Sequence, residues 1–274
     1  MNQNRIGIIG CGWLGLPLAK TLILNNYKVK GSTTTKNKLE ILKKEGIEPY
    51  LIDITENSIS ASINSFLNEL DILIINIPPK IRKEGLINYS KKIQNIISKT
   101  SQIKNILFIS STSVYGSMQG KINSQTIAHP NNKNGIEILK TENIIKSENN
   151  TIIRFGGLIN KDRNPLKHLI QKNEVLNPEA PINYIHLKDC IGIIIKVINQ
   201  NNWGKIYSAV APFHPTKKEY YDNLCEINNI KKLKFSNKKT VINKEVNDDK
   251  ISFIKNSNIR SKNLFAEVGI FLIS

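Results

Sequence analysis

The stretch Arg5-Ile-Gly-Ile-Ile-Gly10-Cys-Gly12-Trp-Leu-Gly15 decides the fold of this chain. An apolar segment runs directly into the glycine spacing GxGxxG, and an amphipathic pattern follows. In a strand–turn–helix unit, Gly10 permits the tight turn, Gly12 lets a pyrophosphate approach the backbone, and Gly15 lets helix and strand pack closely. Pro17 is tolerated only in a first helical turn, so the helix starts where the motif requires it. The stretch predicts a dinucleotide-binding turn, and the alternative is a glycine-rich turn that binds nothing.

The first half of the chain repeats this alternation of apolar runs and helical patterns. The runs are nearly continuous in Ile, Leu and Val, which suits strands that are buried on both faces. Strands joined by helical crossovers form a doubly wound, mostly parallel α/β sheet. The predicted strands are Arg5–Gly10, Lys28–Ser32, Pro49–Asp53, Asp71–Ile77, Asn105–Ser110 and Thr151–Phe155, and the predicted helices are Trp13–Asn25, Lys36–Lys44, Ser58–Asn68, Gly85–Lys99 and Gly135–Lys146.

The alternation of apolar runs and helical patterns weakens after residue 156. A polar, proline-bearing stretch, 160–181, leads to a predicted helix near Leu187–Asn199, a strand at Lys205–Val210 and a helix near Thr216–Ile227. We therefore divide the chain into a nucleotide-binding domain, residues 1–155, and a smaller C-terminal α+β lobe, residues 156–274. The lobe is expected to pack on the carboxyl edge of the sheet and to bind the substrate.

Composition bounds the function classes. The 274 residues include 39 Lys and Arg against 22 Asp and Glu, a formal net charge of +17. The lysines are scattered among many Ile and Asn residues, which is typical of AT-rich coding. The densest basic stretch, Lys231–Lys239, contains only one aromatic residue, Phe235, so it lacks the base-stacking pattern of single-strand binding surfaces. We do not expect a nucleic-acid partner; that third hypothesis rests on the charge alone.

Cysteine and leader patterns bear on the compartment. Cys11, Cys190 and Cys225 are far apart and show no metal-ligand spacing, which indicates a reducing compartment and no metal. The apolar stretch Ile6–Ala19 imitates a signal peptide, and its Ile-Ile-Gly-Cys imitates a lipoprotein cleavage box. It is shorter than the roughly 18 residues of a membrane span, and its glycines have nucleotide-turn spacing. The sequence predicts a cytoplasmic protein without a membrane partner, with secretion as the alternative.

The end of the second strand bears on the coenzyme. It reads Gly31-Ser-Thr-Thr-Thr-Lys36 and has no carboxylate to bond a ribose 2′-hydroxyl. Hydroxyls and a lysine suit a 2′-phosphate, so we predict NADP(H), with NAD as the alternative. Thr35 could instead cap the next helix, and Asp53, at a strand end, could instead cap a loop. The candidate cofactor-binding residues are Gly10, Gly12, Trp13, Leu14, Gly15, Thr33, Thr34, Lys36, Asp53, Ile77, Pro78 and Ser110.

Later motifs resemble a known family. The stretch Phe108-Ile-Ser-Ser-Thr-Ser-Val-Tyr-Gly116 resembles the fifth-strand signature of the extended short-chain dehydrogenase/reductase superfamily, the NAD-dependent epimerase/dehydratase group. Arg154-Phe-Gly-Gly157 with Arg163-Asn-Pro165, and Asn183-Tyr-Ile-His186…Asp189, resemble its later elements. Glu142 fits the glutamate of its active-site helix. The motifs occur in family order over roughly residues 5 to 200, and they imply a Rossmann fold with a nicotinamide coenzyme.

The chain departs from this family at the catalytic pair. The family uses a serine or threonine with Tyr-x-x-x-Lys on the helix that carries the glutamate. Eight and four residues before Glu142 stand Asn134 and Ile138, and neither side chain can do proton chemistry. Together with Gly135, this gap resembles an atypical branch of the superfamily that keeps GxGxxG but lacks the pair.

Three residues are candidates for catalysis. Ser111 matches the family's catalytic serine, and the resemblance implies that it hydrogen-bonds a substrate oxygen. Tyr115 and His186 are the nearest titratable substitutes for the missing pair. The alternatives are a packing tyrosine at the strand exit and a histidine bonded to backbone.

Two functions follow from these patterns. The first is an NAD(P)-dependent oxidoreductase or epimerase-like enzyme that acts on a small carbonyl or sugar-like substrate, as a monomer or homodimer. The coenzyme carries the chemistry and the protein positions it. Arg154, Arg163 and Lys255 are candidates for binding an anionic substrate, or are simply solvated. The second function is a catalytically silent NADP(H) sensor or partner-binding module.

Overall fold

The computed structural model describes residues 4–79, 88–172, 174–236 and 243–247. The described residues fall into two compact units. Unit 1 takes those within Met1–Gly116, Ala128–Arg154 and Ile193–Tyr207, and unit 2 takes those within Ser117–Ile127, Phe155–Gly192 and Ser208–Ser274. The division into domains between residues 155 and 156 stays a prediction.

A seven-stranded sheet dominates the fold. The strands of the described residues are β1 Arg5–Ile9, β2 Lys28–Thr33, β3 Glu48–Leu51, β4 Ile72–Ile75, β5 Asn105–Ser111, β6 Gly120–Ile122, β7 Asn150–Phe155, β8 Gly157–Ile159, β9 Tyr184–His186, β10 Ile206–Ala209 and β11 Lys244–Val246. Its strand order is β10-β7-β5-β4-β1-β2-β3, and β1 lies between β2 and β4, parallel to both. Parallel pairing also joins β2 to β3 and β4 to β5. The predicted α/β sheet is therefore confirmed.

Helices connect the strands. A short 3-10 turn, Thr112–Tyr115, follows β5 directly. The predicted helix Leu187–Asn199 has those bounds in the structure, whereas part of the prediction Gly85–Lys99 lies outside the described residues. The helices are α1 Gly15–Leu24, α2 Lys38–Lys44, α3 Ile63–Leu67, α4 Tyr89–Ile97, α5 Lys133–Ile145, α6 Leu166–Leu169, α7 Leu187–Asn199 and α8 Lys217–Ile227.

The core of unit 1 fixes the turn between β1 and α1. Residues 6–9 of β1 are all buried, because β1 is central in the sheet. On α1, Leu18, Ala19 and Leu22 form a fully buried face. This burial holds both ends of the intervening turn, and Pro17 lies in the first helical turn, as predicted.

Unit 2 contains two small sheets that the sequence pattern did not predict, together with the predicted helix near Thr216–Ile227. Two parallel pairs, β6 with β11 and β8 with β9, form two-stranded sheets. Helix α8 begins with a capping box in which Thr216 and Glu219 bond each other's backbone N–H groups. Its buried residues Tyr220, Tyr221 and Leu224 pack in one cluster with Ile159. Unit 2 thus has its own apolar core.

Candidate functional site

The turn after β1 owes its shape to two of its glycines. Gly10 has φ +102°, and a Cβ there would lie 2.8 Å from the carbonyl oxygen of Asn76. A Cβ at Gly15 would lie 2.2 Å from the carbonyl oxygen of Gly10, far inside van der Waals contact. The side-chain amide of Asn76, at the end of β4, donates to that same oxygen at 3.0 Å. Chain conformation and close packing therefore require glycine at both positions.

Gly12 differs from the other two glycines of the motif, Gly10 and Gly15. A Cβ at this position would meet no atom of the described residues within 4 Å, and the residue is exposed. Folding alone therefore gives no reason for a glycine here. The space is instead available to a group outside the chain that approaches the backbone.

The start of α1 faces the same turn. Its N-cap, Leu14, makes no side-chain cap hydrogen bond, and its first turn contains no acidic residue. A helix N-terminus of this kind presents backbone N–H groups and a positive dipole end to an anion. Burial raises the pKa of Cys11, within the turn, to about 12, so its thiol stays neutral near an anion. The predicted residues Trp13 and Leu14 are partly buried and buried, respectively.

The end of β2 braces the turn. The Ser32 hydroxyl accepts from the Gly10 N–H at 3.0 Å, and the Ser32 carbonyl accepts from the Cys11 N–H at 2.8 Å. Thr33 is buried and its hydroxyl accepts from the Thr35 N–H at 3.1 Å. This strand end is thus fixed relative to the glycine turn.

Beyond β2 the chain becomes exposed. The predicted cofactor residues Thr34 and Lys36 are both exposed, which leaves their polar groups available to a ligand. The alternative role of Thr35 as a helix cap is wrong, because Asn37 is the N-cap of α2 and makes no side-chain cap bond.

The candidates at the ends of β3 and β4 are also accounted for. Asp53 is exposed, lies two residues beyond β3, and accepts from the Ile54 N–H at 3.0 Å, as a loop-capping carboxylate does. The carbonyl of Ile77 accepts from the Tyr89 hydroxyl at 2.7 Å, and Pro78 is exposed. These residues follow the carboxyl ends of β3 and β4, the edge of a parallel sheet at which ligands of such folds lie.

A buried ion pair lies behind β5. Arg154, 4% exposed, donates from Nη2 to Glu142 Oε2 at 2.6 Å and from Nε to Oε1 at 3.0 Å. The Ser110 hydroxyl donates to Glu142 Oε1 at 2.5 Å. Burial alone lowers the pKa of Arg154, but the hydrogen bonds and charge of Glu142 outweigh it and raise that pKa. The prediction that Arg154 is a substrate-binding or solvated cation is wrong, because its charge is neutralised inside the protein.

Tyr115 belongs to the same network. It is fully buried, its hydroxyl accepts from Arg154 Nη1 at 3.0 Å, and the guanidinium lies 5.0 Å from its ring centroid. These contacts favour the packing role over the catalytic one. Ser110, predicted as a cofactor contact, has its hydroxyl engaged by Glu142.

Ser111 is placed differently. It is half-buried, and its hydroxyl oxygen accepts from the Ser113 N–H at 3.1 Å, which leaves its own proton available to another acceptor. Asn134 and Ile138, at the positions of the family's tyrosine and lysine, lie on α5. Helix α5 approaches the 3-10 turn closely, because a Cβ at Gly135 would lie 2.6 Å from the Ser113 carbonyl oxygen.

Two of the remaining candidates, His186 and Arg163, lie in unit 2. His186 is the last residue of β9, and its Nδ1 accepts from the Lys188 N–H at 3.2 Å. This contact agrees with the alternative to catalysis, a histidine that is bonded to the backbone. Arg163 is exposed. Burial is the main cause that raises the pKa of the nearby Cys190; the charge of Asp189 raises this pKa further, and the charge of Arg163 lowers it. Lys255 lies outside the described residues.

Two residues that hold the turn were missed by the sequence analysis. Ser32 and Asn76 each bond Gly10 from a neighbouring strand end. The available signal was a polar residue at the end of an otherwise apolar run, as Asn76 follows Ile72–Ile75. Nothing in the spacing shows that its partner is the glycine turn, because β1 and β4 are distant in sequence.

The described residues contain neither a candidate membrane span nor a cluster of metal ligands. Among the described residues, no helix has both the length and the apolar character needed to span a bilayer. Nor does that part of the chain contain three or more His, Cys, Asp or Glu side chains placed to hold a metal ion. All three cysteines are free thiols and buried.

The sheet and the glycine turn define a class of protein, the Rossmann-like α/β proteins. Residues 5–139 match the family model described as the NAD binding domain of 6-phosphogluconate dehydrogenase. The chain is 30% identical over 241 residues to protein YeeZ of Escherichia coli K12, and the alignment covers 86% of this chain and 88% of that protein. The chain belongs to the family of protein YeeZ.

Solved structures share the fold. UDP-glucuronic acid 4-epimerase from Bacillus cereus, in complex with NAD, has a TM-score of 0.75 at 17% identity, covering 96% of this chain and 95% of that one. The UDP-Glc/GlcNAc 4-epimerase from Campylobacter jejuni has a TM-score of 0.75 at 11% identity, covering 90% and 92%. At these identities the likeness shows the fold alone.

Proposed function

We propose that the chain is an NAD(P)-dependent oxidoreductase or epimerase-like enzyme that acts on a small carbonyl or sugar-like substrate. The observation that carries this proposal is the open space at Gly12, beside an uncapped helix N-terminus. The match of residues 5–139 to an NAD-binding model supports it, as do the NAD-complexed epimerase and the sugar-nucleotide epimerase that share the fold.

The chain's own residues have distinct parts in this proposal. The N–H groups of the turn and of the first turn of α1 bind the pyrophosphate, and Gly12 leaves it room. A nicotinamide coenzyme, when bound, supplies hydride transfer. The Ser111 hydroxyl donates to a substrate oxygen, and His186 is kept as a candidate acid or base. Tyr115 is kept as a candidate only in second place, because its hydroxyl is buried against Arg154.

The test of this proposal substitutes Gly12 by alanine. We expect Gly12→Ala to leave Tm unchanged, since the added methyl meets nothing in the protein, and to weaken NAD(H) and NADP(H) binding about tenfold or more in calorimetry. Gly192→Ala is the matched control, because its Cβ also meets no neighbour but it lies on α7, outside the motif. Equal coenzyme affinity in the wild type and Gly12→Ala would count against the proposal.

The preferred coenzyme is the finer part of the proposal. Exposed Thr34 and Lys36, with no carboxylate in the segment 31–36, support NADP(H), while the NAD complex of the structural relative supports NAD. We expect Lys36→Ala to weaken NADP+ about tenfold and NAD+ little, because only the former carries the 2′-phosphate. Lys44→Ala, at the far end of α2, is the control. If Lys36→Ala weakened NADP+ and NAD+ equally, Lys36 would not be a ligand of the 2′-phosphate, and this result would favour NAD as the coenzyme.

A catalytically silent sensor is the second candidate. Asn134 and Ile138, which stand where the resemblance expects the tyrosine and lysine, favour it and support placement in the atypical branch. Turnover of NADPH and NADH with aldehydes and sugar nucleotides separates the two. Tight coenzyme binding without turnover of any of them would favour the sensor.

Two further parts of the proposal concern the setting of the protein. We propose a cytoplasmic location, which the three free thiols support, and fractionation tests it. The monomer or homodimer stays a prediction for light scattering.

A further inference from the structure

The end of β4 lies against the glycine turn. A Cβ at Gly10 would lie 2.8 Å from the carbonyl oxygen of Asn76 and 3.0 Å from Cγ2 of Ile77. The Asn76 side chain also donates to the Gly10 carbonyl at 3.0 Å. Asn76 and Ile77 therefore form one wall of the turn, and a shift of their backbone would change the shape of the turn.

The backbone that follows Asn76 has few donors of its own. The Asn76 N–H donates to the Ile9 carbonyl at 2.9 Å and continues the pairing of β4 with β1. Ile77 is then followed by Pro78 and Pro79, and proline has no N–H to donate. A contact that fixes this stretch must therefore come largely through its carbonyl groups or its side chains.

The Tyr89 hydroxyl makes such a contact. It donates to the Ile77 carbonyl at 2.7 Å, although the two residues are twelve positions apart. Tyr89 is 2% exposed, and burial raises the pKa of its hydroxyl, so the group keeps the proton that it donates. A buried tyrosine hydroxyl that lost this acceptor would be an uncompensated polar group. The bond is therefore retained as long as the ring stays buried.

The helix that carries Tyr89 is itself held at this end. Helix α4 begins at Tyr89, and the side chain of its N-cap, Asn88, accepts from the Lys91 N–H at 3.1 Å. The N–H and the hydroxyl of Ser90 both donate to Glu137 Oε2 on α5, at 3.1 and 3.0 Å. A series of contacts thus runs from α5 through the first turn of α4 to the end of β4.

We propose that Tyr89 is a positioning residue of the coenzyme site: its hydroxyl fixes the Ile77 carbonyl and so keeps the end of β4 against Gly10. The inference rests on the proposed function, and it adds a buried residue that acts through Ile77. A purely structural role would have a different consequence. Loss of the Tyr89 hydroxyl should weaken coenzyme binding, whereas an equal loss of stability elsewhere in unit 1 should not.

The first experiment compares Tyr89→Phe with a matched control, Thr151→Val. The Thr151 hydroxyl is also buried and also donates to a carbonyl, that of Asn202, at 3.1 Å, but β7 is separated from β1 by two strands. Each substitution should lower Tm by about 3 °C, the effect of one lost hydrogen bond. In calorimetric titrations with NAD(H) and NADP(H), Tyr89→Phe should weaken binding about fivefold, and Thr151→Val should stay within about twofold of the wild type.

The second experiment tests whether Tyr89 acts through Ile77. Ile77→Ala shortens the side chain beside the turn and should itself weaken coenzyme binding about fivefold. The double variant, Tyr89→Phe with Ile77→Ala, should bind about as weakly as either single variant, because both changes disturb the same wall. A loss of about 25-fold, the product of two independent effects, would overturn the inference.

The outcomes separate the positioning role from the proposed function. Wild-type affinity in Tyr89→Phe, or an equal loss of affinity in Thr151→Val, overturns the positioning role and leaves the proposed function standing, because the wild type still binds coenzyme. Absence of coenzyme binding by the wild type overturns both.

Discussion

Substitution of Arg154 by methionine tests the buried network in unit 1. Methionine keeps the apolar stem but removes every guanidinium contact to Glu142, whose carboxylate is only 2% exposed and would retain the Ser110 hydroxyl. Leaving one partner of a buried ion pair uncompensated costs about 3–5 kcal/mol. That is a large fraction of the roughly 5–15 kcal/mol that stabilises a whole domain. At about 2–4 °C per kcal/mol for a chain of this size, Tm should fall by about 10 °C.

A double-mutant cycle tests the cause of this loss. In urea unfolding followed by circular dichroism, Arg154→Met should lower the free energy of unfolding more than the pair Arg154→Met with Glu142→Leu does. The pair replaces both charges by apolar groups, a change that is often neutral. A loss below about 1 kcal/mol for the single variant, or strict additivity of the two, would refute the reasoning.

Three further predictions address pH, capping and the glycine turn. Burial alone would raise the pKa of Glu137, but bonds from Lys140 and Ser90 lower it, so its stabilising effect exists above the ordinary carboxylate pKa and is lost as pH falls through the folded value. Glu137→Gln should therefore flatten the acid limb of the stability profile; an unchanged slope would contradict this. Thr216→Ala removes the capping box of α8 and should cost about 1 kcal/mol in urea unfolding, while Thr216→Ser should cost less. Gly15→Ala should lower both Tm and coenzyme affinity, because its Cβ collides with the turn; wild-type values of both would refute that clash.

Local pattern was enough for the sheet and most of its crossovers. Continuous apolar runs predicted the large strands because burial on both faces leaves no polar alternation to read. The prediction Ser58–Asn68 was too long, since the chain first forms a bridge between Ile54 and Ile59 and the helix begins only at Ile63. That bridge depends on a tight turn, in which the Thr55 N–H donates to the Ser58 carbonyl. Periodicity does not register such a bond.

The sequence pattern did not predict short strands whose pairing partners are distant in the sequence. Strand β11 has three residues and pairs with β6 more than a hundred positions earlier, with Lys244 opposite Gly120. A three-residue strand shows too little alternation to identify. The role of Arg154 was hidden although Glu142 is only twelve residues away, because nothing in the pattern of β7 shows that a side chain of α5 neutralises its charge. In both cases the partner, and not the residue type, decides the outcome.

The three glycines of the turn are required for different physical reasons, so they do not give equal support to coenzyme binding. Gly10 and Gly15 would be required by the fold even if nothing were bound, since a Cβ at either would lie within 3 Å of backbone oxygen. They therefore say little about a ligand. Gly12 meets no such constraint in the described residues, so its glycine is explained by a group that comes close from outside. Comparing Gly12→Ala with Gly15→Ala thus separates binding from folding within one motif: the first should lose coenzyme at constant Tm, and the second should lose both.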